Sequence, residues 1–493
     1  MEVIPCAPSD LVNPVDNIRT RTFFIVRECL DEDALRTALD SLIRDHWRKL
    51  GGRLVRRRED DLLEYHVPKT FDPDHRLFHW SAHEYDHSID KTASAILSPP
   101  LDQGPQFLPD LSVVDSWFRP ADWPYHVRDD PPDSPLLYVH LSLFADATVV
   151  TTSLPHTVAD QMGLANIINA WIGLLDGRVP PPFVGYGGEH DLLPGSGKSY
   201  KDYPKKDVFR RGRQRIYRRG EYPLVLLPFL PDLILHKEER YLLFLPLQLV
   251  QRLREEWSKE LAEEHGDFCR ISDGDVITAF VGKLSRIHKK TPRIVGLSQT
   301  VNLRGLIPEL TAQRSAGFIH NCLHTATARF RLEPTTPARD IAYANRKAIE
   351  QALDPRDIEL DMAVVREMAR LRQTTHVCEP CERSFHVSNW CAAWKDVDFS
   401  PAVRKEKRGG GKPKFLVLGQ AGERNAPLRY TAIEIEIEID ALANMRGGFN
   451  VLSVSCLVLS KNEQGYWVQF SASVPAMKRI REYMSKDPTL QNF

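Results

Sequence analysis

A histidine and an aspartate four residues apart are the side chains of this sequence whose types and spacing favour acid–base chemistry. His156 and Asp160 lie in residues 153–163, which read SLPHTVADQMG. A neutral imidazole can accept a proton near physiological pH, and a carboxylate at a helix start can accept hydrogen bonds from free backbone amides. By spacing alone, the plainer interpretation is favoured, namely a turn histidine followed by an N-capping aspartate.

The elements around this stretch are predicted from its apolar periodicity. Residues 136–144 alternate apolar and polar side chains, which is typical of a half-buried strand, and residues 148–154 form a second strand after a short turn. From 164 to 175 apolar residues recur at helical spacing, and Gly177 suits a left-handed C-terminal cap. His156 is therefore predicted on the turn between a strand end and a helix start, where it can face a cleft.

The same stretch resembles the HxxxD motif of the BAHD acyltransferases. His156, Asp160 and Gly163 together are similar to the HxxxDxxG form of fungal members such as trichothecene 3-O-acetyltransferase. Further similarities follow in the family's order: the helix opening Ser272-Asp273-Gly274-Asp275-Val276, the segment Asn302-Leu303-Arg304, the relaxed Gly-Asn step of residues 317–321, and Asp398-Phe399 of the DFGWG motif. The chain departs from the family where Ser400-Pro401-Ala402 replaces Gly-Trp-Gly, and where Gln161 replaces a common glycine.

The resemblance implies an α/β (α+β) fold of two chloramphenicol-acetyltransferase-like domains, with mixed sheets flanked by helices and a channel between them. A length of 493 residues also indicates two domains. We expect an N-terminal acyltransferase domain at 1–185, a Pro-, Gly- and Arg-rich crossover linker at 186–235, and a C-terminal acyltransferase domain at 236–493. Residues 385–400 are expected to complete the first domain.

The resemblance further implies acyl-CoA-dependent transfer of an acyl group, expected to be acetyl, to a hydroxyl rather than an amine of a small hydrophobic secondary metabolite. His156 would be the general base of a ternary complex without an acyl-enzyme, and Asp160 would support it by pairing with Arg304 of the second domain. Acyl-CoA would be a co-substrate, so no bound cofactor is expected. The other implied site residues are Gly163 and Asp398, as structural residues, and Asn302 and Asn321, as substrate-binding residues.

Two alternatives to this function stay open. One is a condensation-like enzyme that takes its acyl group from a carrier protein, although Pro155 stands where condensation domains have the first of two histidines. The other is a catalytically silent binding or scaffold relative, which the altered residues 400–402 favour. The presence of both His156 and Asp160 favours an enzyme.

Composition narrows the partners and the compartment. With 65 Lys and Arg against 66 Asp and Glu, the net charge of −1 gives no general attraction to nucleic acid. No secretory leader and no apolar run long enough to span a bilayer is recognised, so a soluble, cytoplasmic monomer is expected.

The eight scattered cysteines fit reduced thiols. His376, Cys378, Cys381 and His386 are zinc-ligand types, but they crowd around one Cys-x-x-Cys pair, so no metal site is expected.

Overall fold

The computed structural model describes residues 1–100, 104–187, 192–218, 220–226, 238–266, 270–285, 290–371, 373, 377, 379–404, 412–421, 454–488 and 490. The strands of this part of the chain are, in order, β1 (Glu2–Pro5), β2 (Arg19–Val26), β3 (Arg53–Arg56), β4 (Leu63–Val67), β5 (His79–Glu84), β6 (Gln106–Leu108), β7 (Tyr138–Leu143), β8 (Thr148–Pro155), β9 (Glu238–Pro246), β10 (Arg293–Asn302), β11 (Leu323–Leu332), β12 (Arg383–Asn389), β13 (Phe415–Ala421), β14 (Val454–Lys461) and β15 (Gly465–Ser473).

The α-helices of the described residues lie between and after these strands. They are α1 (Glu32–Ser41), α2 (Asp90–Leu97), α3 (Leu111–Phe118), α4 (Gln161–Leu175), α5 (Lys205–Val208), α6 (Glu221–Leu226), α7 (Leu247–His265), α8 (Asp273–Leu284), α9 (Ala312–Ala316), α10 (Ala338–Ala352), α11 (Pro355–Arg370), α12 (Cys391–Trp394) and α13 (Val474–Lys486). Among the residues described, none of these helices is long and apolar enough to cross a membrane.

Two mixed sheets organise the molecule. A five-stranded sheet has the order β13-β2-β8-β7-β5, and a seven-stranded sheet has the order β11-β10-β12-β14-β15-β9-β6. In the smaller sheet β5 and β7 run parallel, and in the larger sheet β12 runs parallel to both of its neighbours; the other neighbouring pairs are antiparallel. This confirms the predicted fold class of mixed sheets flanked by helices.

The seven-stranded sheet is buried on both faces. Along β9, Leu243 and Leu245 belong to a core with residues of α7, α8, α10 and α13, whereas Leu242 and Phe244 belong to the core of the five-stranded sheet. Successive side chains of a strand point to opposite faces, so helices cover one face of this sheet and the first domain covers the other. The two domains therefore share an apolar contact.

The segment that was expected to complete the first domain, residues 385–400, contacts both sheets. Its strand β12 lies inside the seven-stranded sheet, between β10 and β14, whereas Trp394 and Phe399 after that strand pack in the core of the five-stranded sheet. The strand added to the five-stranded sheet is instead β13, antiparallel to β2, while β6 of the N-terminal half extends the larger sheet. An apolar strand pattern shows that a strand is buried and not which sheet receives it. The other domain boundaries stay predictions.

The described part of the crossover linker is packed rather than solvated. Apolar side chains of the linker, among them Ile216 and Tyr217, cover apolar side chains of α11. Arg213 of the basic run pairs with Asp361, and Arg215 pairs with Glu379. The composition of this segment resembles that of a flexible linker, but its arginines meet carboxylates that lie more than 140 residues away in sequence.

Candidate active site

His156 lies where the sequence predicts it, on the turn between β8 and α4. Its backbone amide donates to the carbonyl oxygen of Ile18 at 2.8 Å, which extends the pairing of β8 with β2 by one residue. The next residue, Thr157, donates from its hydroxyl to the carbonyl oxygen of Val15 at 3.3 Å. The start of the loop is thus fixed to the segment that leads into β2.

Asp160 caps α4 and pairs with Arg304. Its Oδ1 accepts from the amide of Gly163 at 2.8 Å and from Arg304 Nη2 at 2.8 Å. Its Oδ2 accepts from Arg304 Nη1 at 2.9 Å and from the amide of Cys322 at 3.1 Å. Since both carboxylate oxygens accept two hydrogen bonds from the protein, this geometry supports the loop and leaves no direct task in proton transfer.

Arg304 connects three segments at the boundary between the domains. It lies just after β10, and its Nη2 donates to the carbonyl oxygen of His320 at 2.8 Å as well as to Asp160. Its Nη1 also donates to Oδ1 of Asn302 at 3.1 Å. The pair that the resemblance implies is therefore formed in the structure, and Asp160 and Arg304 are 2% and 3% exposed.

Gly163 fits against the second domain in a way that no other residue could. A Cβ atom built on Gly163 would lie 1.8 Å from the carbonyl oxygen of Ile319. Real Cβ contacts are never this short, so the backbone of residue 319 packs directly on the first turn of α4. This contact gives a physical reason for glycine at the last position of the HxxxDxxG motif.

Asn321 was predicted to bind substrate, which stays a prediction, and in the structure its side chain contacts the protein. Its Nδ2 donates to the carbonyl oxygen of His156 at 2.8 Å and to Oδ1 of Asp10 at 2.8 Å, and its Oδ1 is buried. With both amide hydrogens used in this way, the side chain holds the histidine loop. The other predicted substrate residue, Asn302, is exposed at the end of β10, and its role stays a prediction.

The electrostatic surroundings of His156 favour a neutral imidazole. Burial lowers the pKa of His156 below its usual 6.5, and this outweighs the opposing effects of its own backbone, Asp160 and Asn321. Nδ1 is buried without a hydrogen-bond partner among the described residues, while the residue as a whole is half-buried. A neutral ring at pH 7 can accept a proton.

Asp398 lies away from His156. Its carboxylate accepts from the amide of Ser400 at 3.0 Å and from its hydroxyl at 2.6 Å, which forms a local turn. It lines a cavity with Asn169 and Asp176 of the C-terminal part of α4, whereas His156 precedes the N-terminus of that helix. Asp398 is thus placed for a structural role, and the altered residues 400–402 do not reach the histidine.

A basic cavity that the sequence did not reveal lies at the N-terminus of α8. It has a volume of about 970 Å³ and includes four cationic side chains, Arg254, Arg270, Arg346 and Lys461. Asp273 is the carboxylate in its lining, and it pairs with Arg254 at 2.7 Å and with Lys461 at 3.1 Å. These cations come from four separate segments, so no local run of the sequence marks the cavity.

Only some of the candidate zinc ligands lie among the described residues. His376 and Cys378 lie outside the described residues, so the prediction about a metal there stays untested. His386 contacts the hydroxyls of Ser298 and Thr300 at 3.0 and 3.1 Å. Within the described part of the chain, no group of three or more His, Cys, Asp or Glu side chains is arranged to hold a metal ion.

The chain is similar in sequence to several fungal acetyltransferases. No family model matches it. It is 28% identical to the acetyltransferase adrJ of Penicillium rubens, over 79% of this chain and 81% of adrJ. It is 25% identical to the O-acetyltransferase PaAT-2 of Phomopsis amygdali, over 94% and 93% of the two chains. It is also 26% identical to the transcriptional regulator calD of Penicillium decumbens, over 99% and 98%.

The fold is similar to that of two solved structures. The F. sporotrichioides TRI101 structure, complexed with coenzyme A and T-2, matches with a TM-score of 0.64 at 13% identity, over 98% of each chain. Vinorine synthase matches with a TM-score of 0.54 at 15% identity, over 97% of this chain and 92% of its own. The paired mixed sheets are the fold that this chain shares with these two structures. Together with the similarity to named acetyltransferases, they support a BAHD-like acyltransferase.

Proposed function

We propose that this acyltransferase moves an acyl group, most simply acetyl, from acyl-CoA to the hydroxyl of a small hydrophobic secondary metabolite, with His156 as the general base. The observation that carries the proposal is the half-buried side chain of His156. Its pKa is lowered, and the backbone carbonyl oxygen of the same residue accepts a hydrogen bond from Asn321. The names of the acetyltransferase relatives and the coenzyme A in the TRI101 structure support the donor class.

The proposed reaction needs one proton acceptor and no covalent intermediate. His156 takes the proton of the acceptor hydroxyl, and Nε2 is the nitrogen that receives it because Nδ1 is buried. The acceptor oxygen then forms a bond to the thioester carbonyl carbon. When the tetrahedral intermediate collapses, the carbon–sulfur bond breaks, and the CoA thiolate takes the proton back from the imidazolium. The products are the ester and free CoA.

The thiols near the site favour this direct transfer over an acyl-cysteine. Burial raises the pKa of Cys322, which directly follows Asn321, to about 12. The pKa of Cys391, in the lining of the basic cavity, is likewise raised by burial to about 12. Only a thiolate is a good nucleophile, so at pH 7 both groups are protonated and neither suits a covalent mechanism.

The basic cavity is the proposed site for the phosphates of CoA. Arg254 and Lys461 share Asp273, and Arg346 pairs with Asp275. The four cations of the cavity therefore outnumber these two carboxylates, which favours an anionic ligand.

Hydrogen bonds also connect the lining of this cavity to the histidine loop. Asn302 belongs to its lining, and the Oδ1 of Asn302 accepts from Arg304, which in turn pairs with Asp160. A free CoA donor uses such a cavity, whereas a carrier protein needs a docking surface.

A binding role without catalysis is the second candidate. It is favoured by one observation, namely that the relative calD, which aligns over 99% of this chain, is named a transcriptional regulator. The lowered pKa of His156 and its anchored loop favour catalysis, because a binding protein has no need of a neutral histidine at this position. The two candidates differ in whether the chain cleaves a thioester.

The test is CoA release from acetyl-CoA, followed with a thiol reagent in the presence and absence of candidate alcohols. The parent protein should release CoA, and His156→Ala should lose about 10²- to 10⁴-fold in rate, the usual contribution of general-base catalysis. His66→Ala is the matched control, since His66 is also half-buried but pairs with Glu64 on β4.

Calorimetry should show CoA binding to His156→Ala unchanged from the parent. Equal rates for the parent and His156→Ala would remove His156 from the mechanism. Turnover with an acyl-loaded carrier protein, without measurable binding of CoA, would favour the condensation-like alternative. Binding of CoA without any thioester cleavage would favour the non-catalytic role.

A further inference from the structure

A carboxylate of the N-terminal segment lies behind the histidine loop without a part in the proposed reaction. Asp10 follows β1, is fully buried, and its Oδ1 accepts from Asn321 twice, from the backbone amide at 3.3 Å and from Nδ2 at 2.8 Å. Its Oδ2 has no hydrogen-bond partner among the described residues. Burial raises the pKa of Asp10 to about 7.

The side chain of Asn321 links this carboxylate to the loop that carries His156. The same Nδ2 that donates to Asp10 donates its second hydrogen to the carbonyl oxygen of His156 at 2.8 Å. An amide group is planar, so fixing one of its hydrogens on Asp10 fixes the direction of the other. The backbone of His156 is therefore located from one side by Ile18 and from the other by the pair of Asp10 and Asn321.

Two further buried groups lie beside Asp10. Lys49 donates from Nζ to the carbonyl oxygen of Gly185 at 3.0 Å and lies 3.2 Å from Nε2 of His320. The same Nε2 is 3.0 Å from the carbonyl oxygen of Gly185, and Nδ1 of His320 lies 3.7 Å from Oδ2 of Asp10. The positive charge of Lys49 favours the charged form of Asp10.

This arrangement is costly if its purpose is stability alone. A buried ion pair is often no more stabilising than apolar residues of the same volume. An uncharged side chain at the place of Asp10 would avoid the cost of burying a charge, but its hydrogen bond with Asn321 would be weaker than that of a carboxylate. Two features relate this carboxylate to the proposed reaction. It accepts a hydrogen bond from Asn321, and only the side chain of Asn321 lies between it and the backbone of His156.

We propose that Asp10 is a positioning residue for His156: as a carboxylate it orients the amide of Asn321, which sets the place of the His156 backbone, and Lys49 favours its charged form. The inference rests on the proposed function, since it concerns the base of that reaction. The titratable and charged groups around Asp10 are Cys6, Lys49, Tyr65, Asp160, Arg304, His320 and Cys322.

The variants Asp10→Asn and Lys49→Met test the proposal through the pH profile of kcat for CoA release. The carboxylate of Asp10 is lost as the pH falls through its raised pKa, so kcat of the parent should fall below about pH 7. Asp10→Asn should lower kcat at pH 8 by about 10- to 100-fold, the usual effect of misplacing a catalytic group. It should leave KM for acetyl-CoA within about twofold and abolish the ionisation near pH 7, because the donor cavity is untouched.

Lys49→Met should act in the opposite sense on the profile. Lys49 lowers the pKa of Asp10, so its removal should move the same ionisation to higher pH without abolishing it. Asp361→Asn is the matched control, because Asp361 is also a buried carboxylate near a histidine, but its partner is Arg213 rather than Asn321. It should lower the melting temperature and leave kcat unchanged.

The results separate this inference from the proposed function. If His156→Ala loses activity while Asp10→Asn keeps the kcat and pH profile of the parent, the positioning role is wrong and the proposed function stands. If the parent releases no CoA, the proposed function fails, and a crystal structure of Asp10→Asn decides the inference. Displacement of the Asn321 amide from the carbonyl oxygen of His156 would support it, and an unchanged contact would overturn it.

Discussion

Arg304 and Asp160 form a bidentate ion pair across the domain boundary, with Nη1 2.9 Å from Oδ2 and Nη2 2.8 Å from Oδ1. The two residues are 144 positions apart in sequence, and both are almost completely buried. One side of the pair caps α4 directly after the histidine loop, and the other side follows β10. The loop that carries His156 in the first domain is therefore held by the second domain.

Removal of either partner should destabilise the protein, because it leaves an uncompensated buried charge. Asp160→Ala and Arg304→Ala should each lower the free energy of unfolding by about 3–5 kcal/mol. The double variant should lose clearly less than the sum of the two, as expected for residues in direct contact. Chemical denaturation of the four proteins measures this. If Asp160→Ala unfolds like the parent and loses only turnover, a direct chemical role for Asp160 is the better interpretation.

Gly163→Ala should be strongly destabilising for a steric reason. The new methyl group would lie 1.8 Å from the carbonyl oxygen of Ile319, so the first turn of α4 and the second domain would have to separate. We expect a loss of about 3 kcal/mol or more, at the upper end of overpacking effects. Gly305→Ala is the control, because a Cβ at Gly305 meets no atom within 4 Å. Thermal unfolding of both variants compares them, and equal melting temperatures would contradict the predicted contact.

The basic cavity should decide the affinity for the donor. Arg254→Ala should weaken the binding of CoA by about 5- to 10-fold, in the range of a partly exposed charge-assisted contact, with kcat unchanged. Arg252→Ala is a matched control, since both arginines lie on α7 with 35% of the side chain exposed, but Arg252 pairs with Glu256 outside the cavity. Calorimetry at two salt concentrations should also show weaker binding at the higher one. Equal affinities of the two variants would place the phosphates elsewhere.

The imidazole of His156 should titrate below the usual histidine pKa of 6.5, because burial disfavours its charged form. The unfolded chain then binds the proton more readily than the folded chain, so the free energy of unfolding decreases as the pH falls below 6.5. NMR of labelled histidines, assigned through His156→Ala, measures the midpoint. A midpoint at or above 6.5 would show a solvated or ion-paired ring and would contradict the buried environment.

The local elements of the site could be predicted from the sequence. Alternation of apolar residues placed β7 and β8, helical periodicity placed α4, and Gly177 adopts the left-handed φ of +70° expected at the helix end. These features depend on neighbours within a few residues, which is why periodicity and turn chemistry suffice for them. The position of His156 on the turn and the capping role of Asp160 follow from the same local rules.

Contacts between distant segments required the tertiary structure. The exchange of β13 and β6 between the sheets, the burial of Arg213 and Arg215, and the cavity at the start of α8 each join residues from separate parts of the chain. The same is true of Asn321, which the resemblance suggested as a substrate-binding residue and whose two amide hydrogens meet Asp10 and His156. A side chain's type fixes what it can bond, and only the fold fixes which partner lies within hydrogen-bond distance. For this protein the sequence therefore determined the place of His156 on its loop, whereas the folded chain decided which residues hold that loop and which cations line the cavity.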